Sequence, residues 1–142
     1  MPSPRLRRAA RERALQFLFG LEFTHDDWEE ALERFWTTHP ARDGVKRYAH
    51  RLIKGVSTRR EELDQEIAAA LEHWSLERTG RIERNVLRIA LFEMRYARDV
   101  PQKVAINEAI EVAKRFGADD APRFVNGVLD RLKEGQRRTP GS

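Results

Sequence analysis

Residues 81–130 read RIERNVLRIALFEMRYARDVPQKVAINEAIEVAKRFGADDAPRFVNGVLD, and the fold turns on this stretch. Its first part is apolar almost all round: Ile82, Val86, Leu87, Ile89, Ala90, Leu91, Phe92 and Met94 cover most of a helical circumference. Such a helix is buried on nearly every side. Pro101 ends one element and can open the next, because proline fits the first turn of a helix and not its interior. Ile106, Ala109, Ile110 and Ala113 then form an apolar face, and Gly117 stands where a helix terminator belongs. Asp119 or Asp120 can cap a last helix with Pro122 in its first turn. Val125, Val128, Leu129 and Leu132 are its inner stripe. Three helices with short connections follow, and the rest of the chain is expected to pack around the one at 82–96.

Upstream, a first helix is expected from about Arg5 to Phe23. Ala10, Ala14, Phe17, Leu18 and Leu21 fall on one side at 100° per residue. Arg8, Leu15 and Phe19 fall together on a different side, with Arg11 at its edge. An aromatic ring away from the core stripe, flanked by arginines, suits a polynucleotide: guanidinium groups hold phosphates and the ring offers a stacking face. Equally, Phe19 can pack on a neighbouring helix while the arginines are solvated. Asp26 is placed to cap a second helix with the stripe Trp28, Ala31, Leu32, Phe35 and Trp36, which ends at His39-Pro40. A third apolar phase runs from Val45 through Tyr48, Leu52, Ile53 and Val56 to Leu63, Ile67, Leu71 and Trp74. Thr58 and Glu61 could form a capping box there. Because the phase barely slips, one long helix, which Gly55 could bend, is expected to join two halves. A short turn is expected over Ser75–Thr79.

The chain has 142 residues, 40% hydrophobic and 35% charged, which suits one soluble globular domain. The expected division is a single domain over 1–134, with an N-terminal half of about 5–74 and a C-terminal half of about 75–134. The tail 135–142, rich in Gly, Arg, Thr and Pro, is expected to be disordered. No strand pattern is convincing, so the fold class is all-α: two small three-helix-like bundles sharing the long central helix. No apolar run approaches the roughly 20 residues that span a bilayer, the N-terminus lacks the apolar core of a signal peptide, and a cytoplasmic location is the default. There is no cysteine, hence no disulfide or thiolate metal site.

The net charge of +4 is unevenly spread. Arg5, Arg7, Arg8, Arg11 and Arg13 open the chain against Glu12, whereas Asp26, Asp27, Glu29, Glu30 and Glu33 make an acidic block. The histidines His25, His39, His50 and His73 include no i, i+4 metal pair, and no phosphate loop or nucleophile elbow occurs. No cofactor and no catalysis are expected. Glu93 projects into the apolar arc of its helix and needs donors, from backbone N–H groups or an arginine. Arg81, Arg84, Arg88 and Arg95 occupy the remaining polar strip of that helix, as a solvated face or a docking surface.

The strings VLRIALFEM, DVPQKVAINEAIEVAKRFG and RFVNGVLD, in order, with RRAARERALQFLFGLEF at the N-terminus, closely resemble the NusB family of bacterial transcription antitermination factors. The resemblance covers nearly the whole chain, though residues 25–80 match in helix layout more than in motif. It implies a NusB-like fold and RNA binding without catalysis: recognition of the boxA element of ribosomal RNA leaders together with the small-subunit ribosomal protein NusE. That complex modifies RNA polymerase so that it reads through terminators. Carried over residue by residue, Arg7, Arg8, Arg11, Phe19, Asp120 and Phe124 match a single-stranded RNA surface, with Phe19 where a tyrosine is familiar. NusE docking through the C-terminal half would make Arg81, Arg84 and Arg88 the candidate partner contacts. The family includes monomers and dimers, so a homodimer stays open. Two rivals are a helical accessory domain of an RNA cytosine methyltransferase, which a reading frame continuing past Ser142 would reveal, and a protein-only adaptor. The RNA surface would lose its basis if Phe19 were sealed inside and the early arginines were engaged with the protein's own acids.

Overall fold

A computed structural model describes residues 3–72 and 75–133. His73, Trp74 and the tail 135–142 lie outside the described residues. The order is α1 (Pro4–Leu21), α2 (Trp28–Thr38), α3 (Asp43–Thr58), α4 (Arg60–Ala70), a 3₁₀ turn (Leu76–Arg78), α5 (Arg81–Tyr96), α6 (Gln102–Phe116) and α7 (Ala121–Leu132). The fold is all-helical among the described residues.

Helix ends follow local chemistry. Ser3 accepts the Leu6 N–H at 3.1 Å and Pro4 occupies the first turn of α1. Asp27, not Asp26, caps α2 by accepting the Glu30 N–H; Asp26 instead pairs with Arg34 at 2.9 Å. The long central helix is present as two segments interrupted at one residue, Arg59 (φ −117°, ψ 16°). The Thr58–Glu61 capping box does not form. Thr58 Oγ1 donates back to the Lys54 carbonyl at 2.7 Å, a bond within the helix that competes with capping. The Arg59 guanidinium lies 4.1 Å from the centroid of the Tyr96 ring, fastening the bend to the end of α5.

Helix α5 is the hub: every residue from Asn85 to Ala97 is buried. Helices α1, α3, α4, α6 and α7 all pack on it. Gly55 permits the closest approach. A Cβ there would sit 2.2 Å from the Phe92 ring, so α3 meets α5 as bare backbone against an aromatic face. Helix α6 also runs beside α1, tied by Arg8–Glu108 and Glu12–Arg115 at 2.6 Å each. This contact explains Leu15, which shares a side with Arg8 and Phe19 yet is buried: that side faces α6.

Candidate nucleic-acid interface

The first turns of α1 carry three of the arginines singled out above. Arg7 donates to Asp99 at 2.7 Å and lies 4.5 Å from the centroid of the Tyr48 ring. Arg8 makes two bonds to Glu108, at 2.9 and 2.6 Å, and its side chain keeps 49% of its exposure. Arg11 is different. It is 4% exposed and donates to both oxygens of Glu93, at 2.9 and 2.8 Å. Burial alone would lower its pKa, but the bonds and charge of Glu93 outweigh burial and raise it. Tyr48 donates its hydroxyl to the same carboxylate, and burial followed by the charge of Glu93 raises the tyrosine's pKa. Arg11 is therefore corrected from a surface contact to an interior one: a buried carboxylate on α5 needs donors, and Arg11 supplies them. Glu93 finds its donors in an arginine, one of the two partners its position called for.

Asp99, in the α5–α6 connection, is gripped from two sides, by Arg51 of α3 at 2.9 Å and by Arg7 of α1. The Arg51 hydrogen bond is the main reason its pKa falls well below the usual carboxylate range; partial burial opposes this and Arg7 reinforces it. Glu108 is likewise lowered, first by Arg8.

At the other end of α1, Phe19 is half-buried rather than sealed in. Its ring meets Phe23 edge to face, centroids 5.3 Å apart. Phe23 is 60% exposed, and the Arg81 guanidinium lies 4.6 Å from the centroid of its ring. Arg81 opens α5, and the same turn walls a cleft of about 220 Å³ lined by Arg78, Gly80, Glu83, Asp120 and Phe124. Glu83 accepts the Ala118 N–H at 3.3 Å, holding the α6–α7 connection against this turn. Asp120 stands at the N-cap position of α7, but its side chain makes no capping bond and is exposed. Phe124 is half-buried at the cleft.

The first turn of α5 thus joins Phe19 to Asp120 and Phe124. Arg7 lies about 18 Å away along α1, twelve residues at about 1.5 Å each. Between the two ends runs the α1–α6 seam, with Arg115 exposed along it. Periodicity missed three participants: Phe23, Glu83 and Arg115. The Phe19–Phe23 spacing of four was the available signal for the first, although Phe23 lies two residues past the end of α1.

Two of the three candidate partner contacts are corrected. Arg84 bonds Glu22 at 2.5 Å and the Thr79 carbonyl at 3.1 Å. Arg88 is 3% exposed and bonds both oxygens of Asp64, at 2.7 and 3.0 Å. Their strip faces α4 and the end of α1, so these guanidinium groups are spent internally. Burial would raise the Glu22 pKa, but bonds from Arg84 and Asn85 lower it. Arg95 is also buried, bonding Glu66 and the Leu132 carbonyl. Arg81 alone of the three candidates stays at the surface.

A NusB family model matches residues 8–134. The chain is 46% identical over 131 residues to a transcription antitermination protein NusB of Myxococcus xanthus, covering 89% of this chain and 93% of that one. It is 41% identical over 128 residues to the NusB of Trichlorobacter lovleyi, covering 90% of each. Among solved structures it is similar to T. maritima NusB, with a TM-score of 0.83 and 36% identity over 97% of this chain and 96% of that one. It is also similar to a chain in a crystal structure of antitermination factors NusB and NusE in complex with dsRNA. There the TM-score is 0.81 and the identity 25%, over 93% of this chain and 98% of that one. With sequence and structure agreeing over nearly its whole length, the chain belongs to the NusB family.

Proposed function

We propose that this protein is a non-catalytic RNA-binding transcription antitermination factor. It would act in the cytoplasm on boxA-type RNA of ribosomal RNA leaders, together with NusE, within an RNA polymerase antitermination complex. The observation that carries the reading is the surface at the start of α5. Rings at Phe19, Phe23 and Phe124 flank the exposed cation Arg81 and the carboxylate of Asp120, which makes no capping bond to α7. Such a surface suits single-stranded bases: rings stack on base faces, and a carboxylate accepts from exocyclic amines. A relative in this family is solved with NusE and RNA, which supports both partners.

Arg8 and Arg81 would supply phosphate contacts, and Arg7 would join only by leaving Asp99. Arg11 has no part in it. The test is a titration of labelled boxA RNA against a scrambled RNA, with and without NusE, on the wild type and on Phe23→Ala and Phe124→Ala. Each lost stacking contact should cost about 1–3 kcal/mol, roughly 5- to 150-fold in affinity. Equal affinity for both RNAs under both conditions overturns the reading.

A further inference from the structure

We propose that the outward face of α3, with Arg98, is a second phosphate track, which holds the single-stranded RNA flanking the element bound at the start of α5. The inference rests on the RNA-binding reading above and adds a surface to it. From Arg42 to Arg59 the chain carries Arg42, Lys46, Arg47, Arg51, Lys54 and Arg59 against the single acid Asp43. Arg47, His50, Arg51 and Lys54 share one face at helical spacing.

What marks this segment is its charge, six cations against one acid, with Arg51 the one that pairs with a carboxylate among the described residues. In the interior the protein matches its cations closely: Arg11 with Glu93, Arg88 with Asp64, Arg95 with Glu66. Arg47, Lys54 and Arg98 are exposed and form no ion pair with any described residue. Cations left unmatched in a protein that matches so many others are available to an external polyanion.

Position supports the same occupant. Asp99 is held at once by Arg7 of α1 and Arg51 of α3, so the two basic rows meet at that residue, and Arg98 is its chain neighbour. A strand leaving the Phe19 end along the α1–α6 seam passes Arg115 and Arg8, each beside its own carboxylate, reaches Arg7 and Asp99, and continues onto α3. Arg47 to Lys54 covers about 10 Å of helix axis at about 1.5 Å per residue. That is room for about two or three successive phosphates. Arg47, Lys54 and Arg98 stack on no ring among the described residues, so these cations would read backbone and not sequence.

The test compares wild type with the double variant Arg47→Gln/Lys54→Gln, titrated with bare boxA RNA and with the same element extended by uridines on either side, over a range of salt. Unchanged helicity and melting establish that the variant is folded. The extended RNA should bind wild type more tightly than the bare element, and the variant should lose that gain. The slope of log affinity against log salt for the extended RNA should flatten by about 1.4, at about 0.7 per phosphate contact in single strands. Bare-element affinity should be the same for both proteins. No gain from the extension, or an unaltered slope in the variant, overturns the track while leaving the boxA reading intact. Failure of wild type to prefer the bare element over a scrambled RNA of the same length overturns that reading instead. Polyglutamate bound by wild type and lost in the variant, with RNA slopes equal, would assign the face to an acidic protein and overturn the track.

Discussion

The interior arginines around α5 and Arg47 of α3 have the same side chain and opposite situations. Arg11, Arg88 and Arg95 are 4%, 3% and 2% exposed, and each is locked to a carboxylate. Arg47 stands in solvent and pairs with no acid among the described residues. The difference lies in what faces each residue across the fold: Glu93, Asp64 and Glu66 on one hand, water on the other. An interior guanidinium is a structural part whose removal or orphaning is costly. A solvent-facing one has little bearing on stability and keeps its charge for a ligand.

Breaking the interior side of this comparison should give the largest effect. Glu93→Leu strands the Arg11 charge and the Tyr48 hydroxyl together, and should destabilise by about 3–5 kcal/mol in denaturant unfolding. A loss below about 1 kcal/mol would mean that Arg11 finds sufficient relief in Glu108, 3.4 Å away.

An intermediate effect is expected at Asp99, which is half open to water. Its pKa is lowered in the folded state, chiefly by Arg51. The stability it contributes is therefore fully present above the unfolded value near 4 and is lost as pH falls through the folded value. Asp99→Asn should cost less than about 1 kcal/mol at neutral pH, because exposed pairs are screened. The variant should also show a shallower loss of stability than wild type below about pH 4. Identical acid-unfolding curves would show that the clasp contributes nothing.

The smallest effect sharpens the other side. Arg47→Gln should leave the melting temperature unchanged, within about 0.5 kcal/mol of wild-type stability. A larger loss would mean that Arg47 holds a partner in solution and that the two classes of arginine are not distinct.

Much of this architecture was legible in the chain. The all-round apolar helix at 81–96, the stop at Gly117 and the inner stripes of α2 and α7 are local patterns, and periodicity reads local patterns. The interior ion pairs were not legible. Arg11 and Glu93 are 82 residues apart, and Arg88 and Asp64 are 24 apart. A helical wheel takes every guanidinium for an outward group, so it left Arg11, Arg84 and Arg88 on the surface. Glu93 was the exception, because a carboxylate inside an unbroken apolar arc announces that it needs donors. Leu15 was misplaced for a related reason: a single wheel cannot show that α6 would cover a second side of α1. At the candidate site, Phe19 was singled out by periodicity and resemblance together, Asp120 and Phe124 as residue-level contacts by resemblance, and Phe23 by neither. Its exposure depends on where α1 ends, at Leu21, two residues before it.

The double grip on Asp99 has a consequence for how this end of the molecule meets a polyanion. Arg7 and Arg51 already hold a negative group, so a phosphate arriving there replaces one anion by another and frees a carboxylate where a naked cation would have shed solution ions. The return on such a swap is small, and it responds weakly to ionic strength. If a polynucleotide binds there as proposed, the α5–α6 connection would act as a resident competitor at the mouth of α1.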